Sequence, residues 1–324
     1  MRKYIGNLFN ICTLRHLLYE RTLRRIRTRQ TEIGAILLPY AVGTRLLAWF
    51  CRQAWAKAIF FKRQIHLFRE FAALIGCPSK AGTPEMISYS LVCNTWYQWR
   101  FLAMARHKPE QFDRWVTVIG LPTFEASFQK GKGVILVHMH TAVPSKITDL
   151  VLQHQGFCSP FQIRPPEAVW GTAQGPSKQG LATSNTMLFA RQLYEGQQIL
   201  AQGGVVDLAP DGGQGYSTGL TVPFHGRRRD FKVGFAQLAL ATEADVIPVS
   251  VSMDVKGYVT VEFLDPLGSG PTALSDQERI RRLTSAYVKL LEEKWASEPW
   301  NVRSGQMKLH LSARGKDGRD REQA

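Results

Sequence analysis

GKGVILVHMH, residues 131–140, is the stretch of this sequence that decides the fold. Its unbroken aliphatic run, 134–137, is typical of a strand that is buried on both faces of a sheet. Two histidines, His138 and His140, stand where that strand ends. Because ligands of open parallel sheets bind beyond the carboxyl ends of the strands, an imidazole at this place is a candidate general base.

Further aliphatic or alternating runs on both sides of this stretch predict more strands, at 116–119, 205–208, 246–252 and 258–263. Helical patterns lie between and after them, at 121–130, 144–155, 186–202, 230–242 and 276–295. Strands that alternate with helices predict an α/β fold with a mostly parallel central sheet flanked by helices on both faces.

The N-terminal part of the chain is basic and aromatic, and we expect it to form an amphipathic helical extension. Residues 33–61 mix aromatic side chains with Arg and Lys, and they lack the roughly 18 uninterrupted apolar residues of a spanning helix. Such a mixture suits a helix in the headgroup region of a membrane, or else a helix packed on the domain. We therefore predict a membrane-interfacial region at 1–80, the α/β domain at 81–311 and a disordered polar tail at 312–324.

The charge of the chain narrows the class of partner. There are 41 Lys and Arg residues against 26 Asp and Glu, a formal charge of +15. This excess favours an anionic partner: a phospholipid surface, a phosphorylated substrate or nucleic acid. The absence of a recognised nucleic-acid-binding motif argues against the last of these. Five scattered cysteines without C-x-x-C pairing indicate a reducing compartment rather than a disulfide framework.

Two later segments carry residues suited to substrate binding. The glycine-rich segment 209–216, APDGGQGY, follows a predicted strand and places Asp211 at the same sheet edge as the histidines. Its glycines would let backbone amides approach a substrate closely, although a flexible surface loop is the alternative. The segment 222–229, VPFHGRRR, is either a cationic patch for phosphate or carboxylate groups or a solvated charge run.

The two histidines also allow a metal site. If the strand continues, His138 and His140 point to one face, as a His-x-His pair of metal ligands would. Such a site needs further ligands, for which the candidates are Asp149, His154, Asp207 and Asp211. A metal-dependent hydrolase and a pair of core histidines thus remain alternatives to a catalytic base, and we expect no metal and no cofactor.

The order of these segments resembles the lysophospholipid acyltransferase superfamily, and within it the lipid A biosynthesis lauroyl/myristoyl acyltransferase branch. The matching stretches are 131–140, 205–215, 222–226, 235–242 and 246–251. Arg164-Pro165 and the closing segment 298–300 resemble further elements of that branch, so the likeness covers roughly residues 85–310.

The resemblance implies how the histidine works and exposes one departure. In the family, a His deprotonates the acceptor hydroxyl, and an Asp or Glu four residues later orients the imidazole. Carried over, His140 is the base, but the acid position holds Ser145. Ser145 and Asp149 lie one helical turn apart and together could replace the acid. Asp211 is a second candidate, and loss of activity is the third possibility.

The resemblance also implies substrates, partners and a location. We expect an acyl carrier protein or acyl-CoA thioester as donor and a hydroxyl or amine of a glycolipid, phospholipid or related lipid as acceptor, with no nucleic acid. The protein would sit on the cytoplasmic face of the bacterial inner membrane, peripheral or monotopic. A catalytically silent acyltransferase-like protein that binds lipid or acyl carrier protein is the alternative. The predicted substrate-binding residues are Arg164, Gly212, Gly213, Phe224, Gly226, Arg227 and Arg228.

Overall fold

Strand β2 (Val134–His138) lies inside the central sheet, and all of its residues are buried. The computed structural model describes residues 38–77, 98–141, 146–163, 178–211, 219–254, 256–268, 270–271 and 273–312. Over these residues the sheet has six strands in the order β1-β8-β7-β2-β4-β3. Its other strands are β1 (Val116–Ile119), β3 (Phe161–Gln162), β4 (Val205–Leu208), β7 (Asp245–Met253) and β8 (Val259–Phe263).

The strand directions confirm the predicted mostly parallel α/β fold. β2 runs parallel to both of its neighbours, β4 and β7, and only β7 and β8 pair antiparallel. In the β2–β4 register, Leu136 is opposite Asp207 and Val137 is opposite Leu208. The carboxyl ends of these two strands are therefore level, and the residues that follow them emerge side by side at one edge of the sheet.

The helices of the described residues surround this sheet in sequence. They are α1 (Tyr40–Arg52), α2 (Ala54–Phe60), α3 (Lys62–Leu74), α4 (Gln98–His107), α5 (Phe112–Trp115), α6 (Leu121–Gln129), α7 (Lys146–His154), α8 (Lys178–Ala201), α9 (Gly234–Thr242), α10 (Asp276–Ser297) and α11 (Ser304–Ser312), with short 3-10 turns at Pro109–Gln111 and Pro299–Asn301. Helix α10 begins with a capping box, in which Ser275 and Glu278 satisfy each other's backbone N–H groups. Its face with Tyr287, Leu291 and Trp295 is buried, which is the helical spacing of a core-facing stripe.

One predicted helix was wrong at its start. The helix expected over 230–242 begins only at Gly234, because Arg227–Lys232 forms strand β6. β6 pairs antiparallel with β5 (Gly219–Phe224) through a two-residue turn in which His225 and Gly226 both have positive φ. Such a turn matches the twist of a hairpin. Alternate residues of β6 are buried, which a run of charged residues conceals in the sequence.

Helices α1 to α3 belong to the same hydrophobic core as the sheet. Tyr40 and Cys51 from α1 and Phe71 from α3 are buried in it, and the Phe71 ring lies 5.2 Å from that of Trp295. Residues 1–37, 78–97 and 313–324 lie outside the described residues, and with them the arginine-rich arm and most of the predicted tail. Over the described part of the chain, no helix is both long and apolar enough to cross a bilayer.

A glycine fixes how the chain turns from β1 into α6. Gly120 has a φ of +72°, and a Cβ atom there would lie 2.0 Å from the backbone carbonyl oxygen of Phe263 in β8. Gly131, with a φ of +70°, has no such neighbour within 4 Å. Both positions need the left-handed conformation that glycine adopts without strain, but only Gly120 also needs the missing side chain.

Candidate active site

His140 and Asp211 meet where β2 and β4 end. The Nδ1 atom of His140 lies 2.6 Å from Oδ1 of Asp211, and the backbone N–H of His140 donates to Oδ2 at 2.9 Å. Both oxygens of one carboxylate thus bind one histidine, across 71 residues of sequence. The Asp211 side chain is fully buried, whereas 22% of the His140 side chain is exposed. The ring can therefore reach a molecule at the sheet edge while its partner stays out of water.

The charge state of Asp211 fixes the role of each ring nitrogen. Burial alone would raise the pKa of Asp211, but the His140 ring, the hydrogen bonds from His140 and the charge of Arg229 outweigh it, so the pKa is lowered. Asp211 is therefore a carboxylate, which can only accept hydrogen bonds. Nδ1 of His140 must then carry the hydrogen, and in the neutral ring Nε2 keeps the lone pair that can accept a proton.

The backbone of Asp211 is held by two other elements. Its carbonyl oxygen accepts a hydrogen bond from Nη2 of Arg229 in β6 at 2.8 Å and another from Nε2 of Gln306 in α11 at 3.0 Å. Arg229 Nη2 also donates to Oε1 of Gln306. The Arg229 guanidinium is buried, and its central carbon lies 5.3–5.4 Å from the ring centres of Phe224, Phe231 and Trp295, within range of cation–π attraction.

Tyr287 of α10 supports the end of β2. Its hydroxyl is buried and donates to the backbone carbonyl of His138 at 3.1 Å. Burial and the nearby negative charge of Asp211 raise the pKa of Tyr287 well above its ordinary value. The phenol therefore stays protonated and remains a donor.

His138 has a different environment from His140. Its Nε2 lies 3.4 Å from Oδ1 of Asp207, and both side chains are almost completely buried. The two histidines face different carboxylates because β2 ends at His138 and the strand alternation stops there. Among the described residues, no group of three or more His, Cys, Asp or Glu side chains is arranged to hold a metal ion.

The predicted acids are placed differently by the structure. Asp149 lies in the first turn of α7, where its Oδ1 accepts a hydrogen bond from Nε2 of Gln153 at 3.2 Å. The carboxylate hydrogen-bonded to His140 is that of Asp211. Ser145, together with the predicted substrate-binding residues Arg164, Gly212 and Gly213, lies outside the described residues.

The arginine run of the VPFHGRRR segment divides into three environments. Arg227 donates to the carbonyls of residues 310 and 311 at 3.1 Å each, at the C-terminal end of α11 where a cation is favourable. Arg228 is exposed, and Arg229 is buried next to Asp211. Phe224 is fully buried, with its ring 4.8 Å from that of Trp295, and Gly226 forms the hairpin turn.

Sequence reasoning missed Arg229, Gln306 and Tyr287 as site residues. The signal for Arg229 was available, since alternation along a strand puts residues 227 and 229 on one face and 228 on the other. It required recognising 227–232 as a strand. Nothing in the sequence near Gln306 marks it, because its contacts are with residues far away along the chain.

Comparisons with known proteins agree on one class. The family model for bacterial lipid A biosynthesis acyltransferases matches residues 33–299. No curated protein sequence matches the chain. Among solved structures, the chain is similar to the 1-acyl-sn-glycerophosphate (LPA) acyltransferase PlsC from Thermotoga maritima, at 15% identity, over 78% of this chain and 97% of that one, with a TM-score of 0.32.

Proposed function

Since this chain belongs to the bacterial lipid A biosynthesis acyltransferase family, and is thus an acyltransferase for lipid acceptors, we propose which groups it moves and how. It transfers a fatty acyl group from an acyl carrier protein or acyl-CoA thioester to a hydroxyl or amine of a glycolipid, phospholipid or related lipid. The observation that carries the proposal is the 2.6 Å contact between His140 and the buried carboxylate of Asp211.

The proposed reaction uses Nε2 of His140 as the general base. As the acceptor oxygen or nitrogen attacks the thioester carbonyl carbon, Nε2 takes its proton. The carbon–sulfur bond then breaks, and the thiolate leaves with the proton that His140 returns. The products are the acylated lipid and the free thiol of the donor. Asp211 stays ionised throughout, and it stabilises the imidazolium that exists between the two proton transfers.

Asp211 takes over the role that the family pattern gives to the acid four residues after the histidine, where this chain has Ser145. Two observations support this assignment. The carboxylate binds both the ring and the backbone N–H of His140, which fixes the tautomer and the ring orientation together. The lowered pKa of Asp211 keeps it charged at neutral pH. The joint role of Ser145 and Asp149 is therefore the weaker of the two hypotheses.

We also propose that α1 and α2 rest on the cytoplasmic leaflet of the bacterial inner membrane. Large apolar side chains at one helical face of α1 and on α2 are exposed: Leu38, Val42, Leu46, Trp49, Trp55 and Ile59. Their spacing of three or four residues places them on one side of each helix. Arg45 and Arg52 are exposed as well, and each basic side chain near an anionic surface adds about 1 kcal/mol to binding.

The electrostatics favour this choice of donor and acceptor. A surface with a formal charge of +15 attracts an acidic carrier protein and steers its approach. The exposed Arg228, and Arg164 outside the described residues, are the proposed contacts for phosphates of the acceptor. Guanidinium groups suit this role because their paired N–H donors match phosphate oxygens.

The test is incorporation of label into lipid. Purified protein is incubated with a bacterial lipid extract and radiolabelled myristoyl thioesters of either acyl carrier protein or coenzyme A. We expect labelled lipid from the wild type, loss of at least 99% of the rate in His140→Ala, and a wild-type rate in the matched control His107→Ala, an exposed histidine on α4. Lipid binding without any incorporation would support the catalytically silent alternative instead.

A further inference from the structure

We propose that Gln306 of the C-terminal helix α11, acting together with Arg229 of β6, positions the His140–Asp211 pair for catalysis. The inference rests on the proposed function, because it assigns to Gln306 a role in the same reaction. Gln306 does not contact a reacting atom in this assignment. It is a positioning residue that acts through the backbone of Asp211.

The first step concerns the chain segment that carries Asp211. After β4 ends at Leu208, the carbonyl of Pro210 accepts a hydrogen bond from the backbone N–H of Lys232 in β6 at 3.0 Å. The carbonyl of Asp211 then accepts from the side chains of Arg229 and Gln306. The segment is therefore held from outside by β6 and α11, just beyond the end of its own strand.

The second step concerns the amide of Gln306. Its Nε2 donates to the Asp211 carbonyl, and its Oε1 accepts from Arg229. One side chain thus satisfies a donor and an acceptor that are both buried, and only one orientation of the amide fits the two partners. An apolar residue at 306 would fill the space, but it would leave Arg229 without one acceptor and Asp211 without one donor.

The third step links this amide to the reaction. Asp211 has both carboxylate oxygens on His140, so any displacement of its backbone moves the ring as well. A shift of about 1 Å in a catalytic group can lower a rate by about 100-fold. Because Gln306 contributes one of the two side-chain bonds to the Asp211 carbonyl, its loss loosens the pair without removing either member.

Helix α11 lies beyond the region that the family similarity covers. The family model matches residues 33–299, and α11 begins at Ser304. Gln306 is nevertheless 5% exposed and reaches the centre of the site. The role assigned to it therefore comes from the contacts of this chain and not from the family pattern.

The experiment compares Gln306→Leu with the matched control Gln237→Leu, an exposed glutamine on α9. In the labelled-lipid assay we expect kcat of Gln306→Leu to fall about tenfold, with KM for the lipid within about twofold of the wild type. Gln237→Leu should match the wild type. In an Asp211→Asn background, Gln306→Leu should cause no further loss, since residues that act as a unit are not additive.

A second readout needs no turnover. The proton on Nδ1 of His140 should give a low-field resonance in the proton NMR spectrum of the wild type, assigned by its absence in Asp211→Asn. We expect this resonance to shift or broaden in Gln306→Leu and to stay unchanged in Gln237→Leu. Gln306→Glu, which keeps an acceptor for Arg229 but loses the donor to Asp211, should show the same effect if Gln306→Leu does not fold.

Two results would overturn the inference. One is a Gln306→Leu protein with wild-type kcat and an unchanged resonance, and the other is a loss that adds fully to that of Asp211→Asn. A failure of the proposed function would look different. In that case Asp211→Asn itself would keep wild-type turnover, whatever Gln306→Leu does.

Discussion

Replacing Asp211 by Asn is the most informative single change, because it keeps the shape of the side chain and removes one acceptor. The carboxylate now faces two donors on His140, the ring Nδ1–H and the backbone N–H. An amide has one oxygen and one NH₂ group, so it can serve only one of them. The backbone N–H cannot lose its hydrogen, whereas the ring can move its hydrogen from Nδ1 to Nε2.

We therefore expect the amide oxygen of the variant to bind the backbone N–H and its NH₂ group to face Nδ1. The ring then holds its hydrogen on Nε2 and can no longer take a proton from the acceptor. Loss of a general base lowers a rate by about 10²–10⁴-fold. A central value of about 10³-fold corresponds to roughly 4 kcal/mol of transition-state stabilisation.

The assay measures kcat for labelled lipid with Asp211→Asn and wild type at neutral pH. Circular dichroism should show that the variant is folded, and KM for the lipid should change by less than about threefold, because Asp211 is buried away from the substrate. A variant that keeps more than half of the wild-type kcat would refute the assignment of Asp211 as the orienting acid.

The same substitution has a stability signature with a defined sign. The pKa of Asp211 is lowered from its ordinary value of 3.8, so its carboxylate stabilises the folded protein above pH 3.8 and loses this contribution as the pH falls toward the folded-state pKa. Asp211→Asn lacks this component. The difference in Tm between wild type and variant should therefore shrink as the pH is lowered below 3.8.

Three further outcomes are expected. Asp149→Asn should keep kcat within about twofold, because the Asp149 carboxylate is bonded to its own helix; loss of most activity would return the acid role to it. Trp49→Glu should weaken binding to vesicles of phosphatidylethanolamine and phosphatidylglycerol about tenfold, while Tyr194→Glu, an equally exposed aromatic on α8, should not; equal binding of both would exclude α1 as the membrane face. Gly131→Ala should cost roughly 1–2 kcal/mol of unfolding free energy for its positive φ, and Gly120→Ala clearly more, since its Cβ would also meet a carbonyl of β8; urea denaturation measures both, and equal costs would contradict the packing argument.

The fold was predictable where one hydrophobic period dominates a segment. The buried runs at 134–137 and 205–208 became β2 and β4 because aliphatic residues without interruption suit a strand covered on both faces. The hairpin strand β6 was not predictable in the same way, since its sequence RRRDFK carries three arginines. Only the tertiary burial of Arg229 and Phe231 shows its alternation.

The candidate site was predictable only as far as single strand ends. The end of β2 indicated His140 as a base, and the end of β4 indicated Asp211 as one of several possible acids. Which acid faces the ring depends on β4 being the neighbour of β2 in level register, and the local sequence does not encode strand order. Gln306 was further out of reach, because its role depends on how α11 packs against β6.

The position of Gln306 has a practical consequence for choosing where a recombinant version of this protein should end. Sequence similarity alone would suggest cutting near residue 299. The shortened chain would lack the amide that holds the Asp211 carbonyl and the carbonyls that receive Arg227. We expect it to dock on membranes through α1 and yet turn over slowly, a behaviour that could be mistaken for a natural loss of activity.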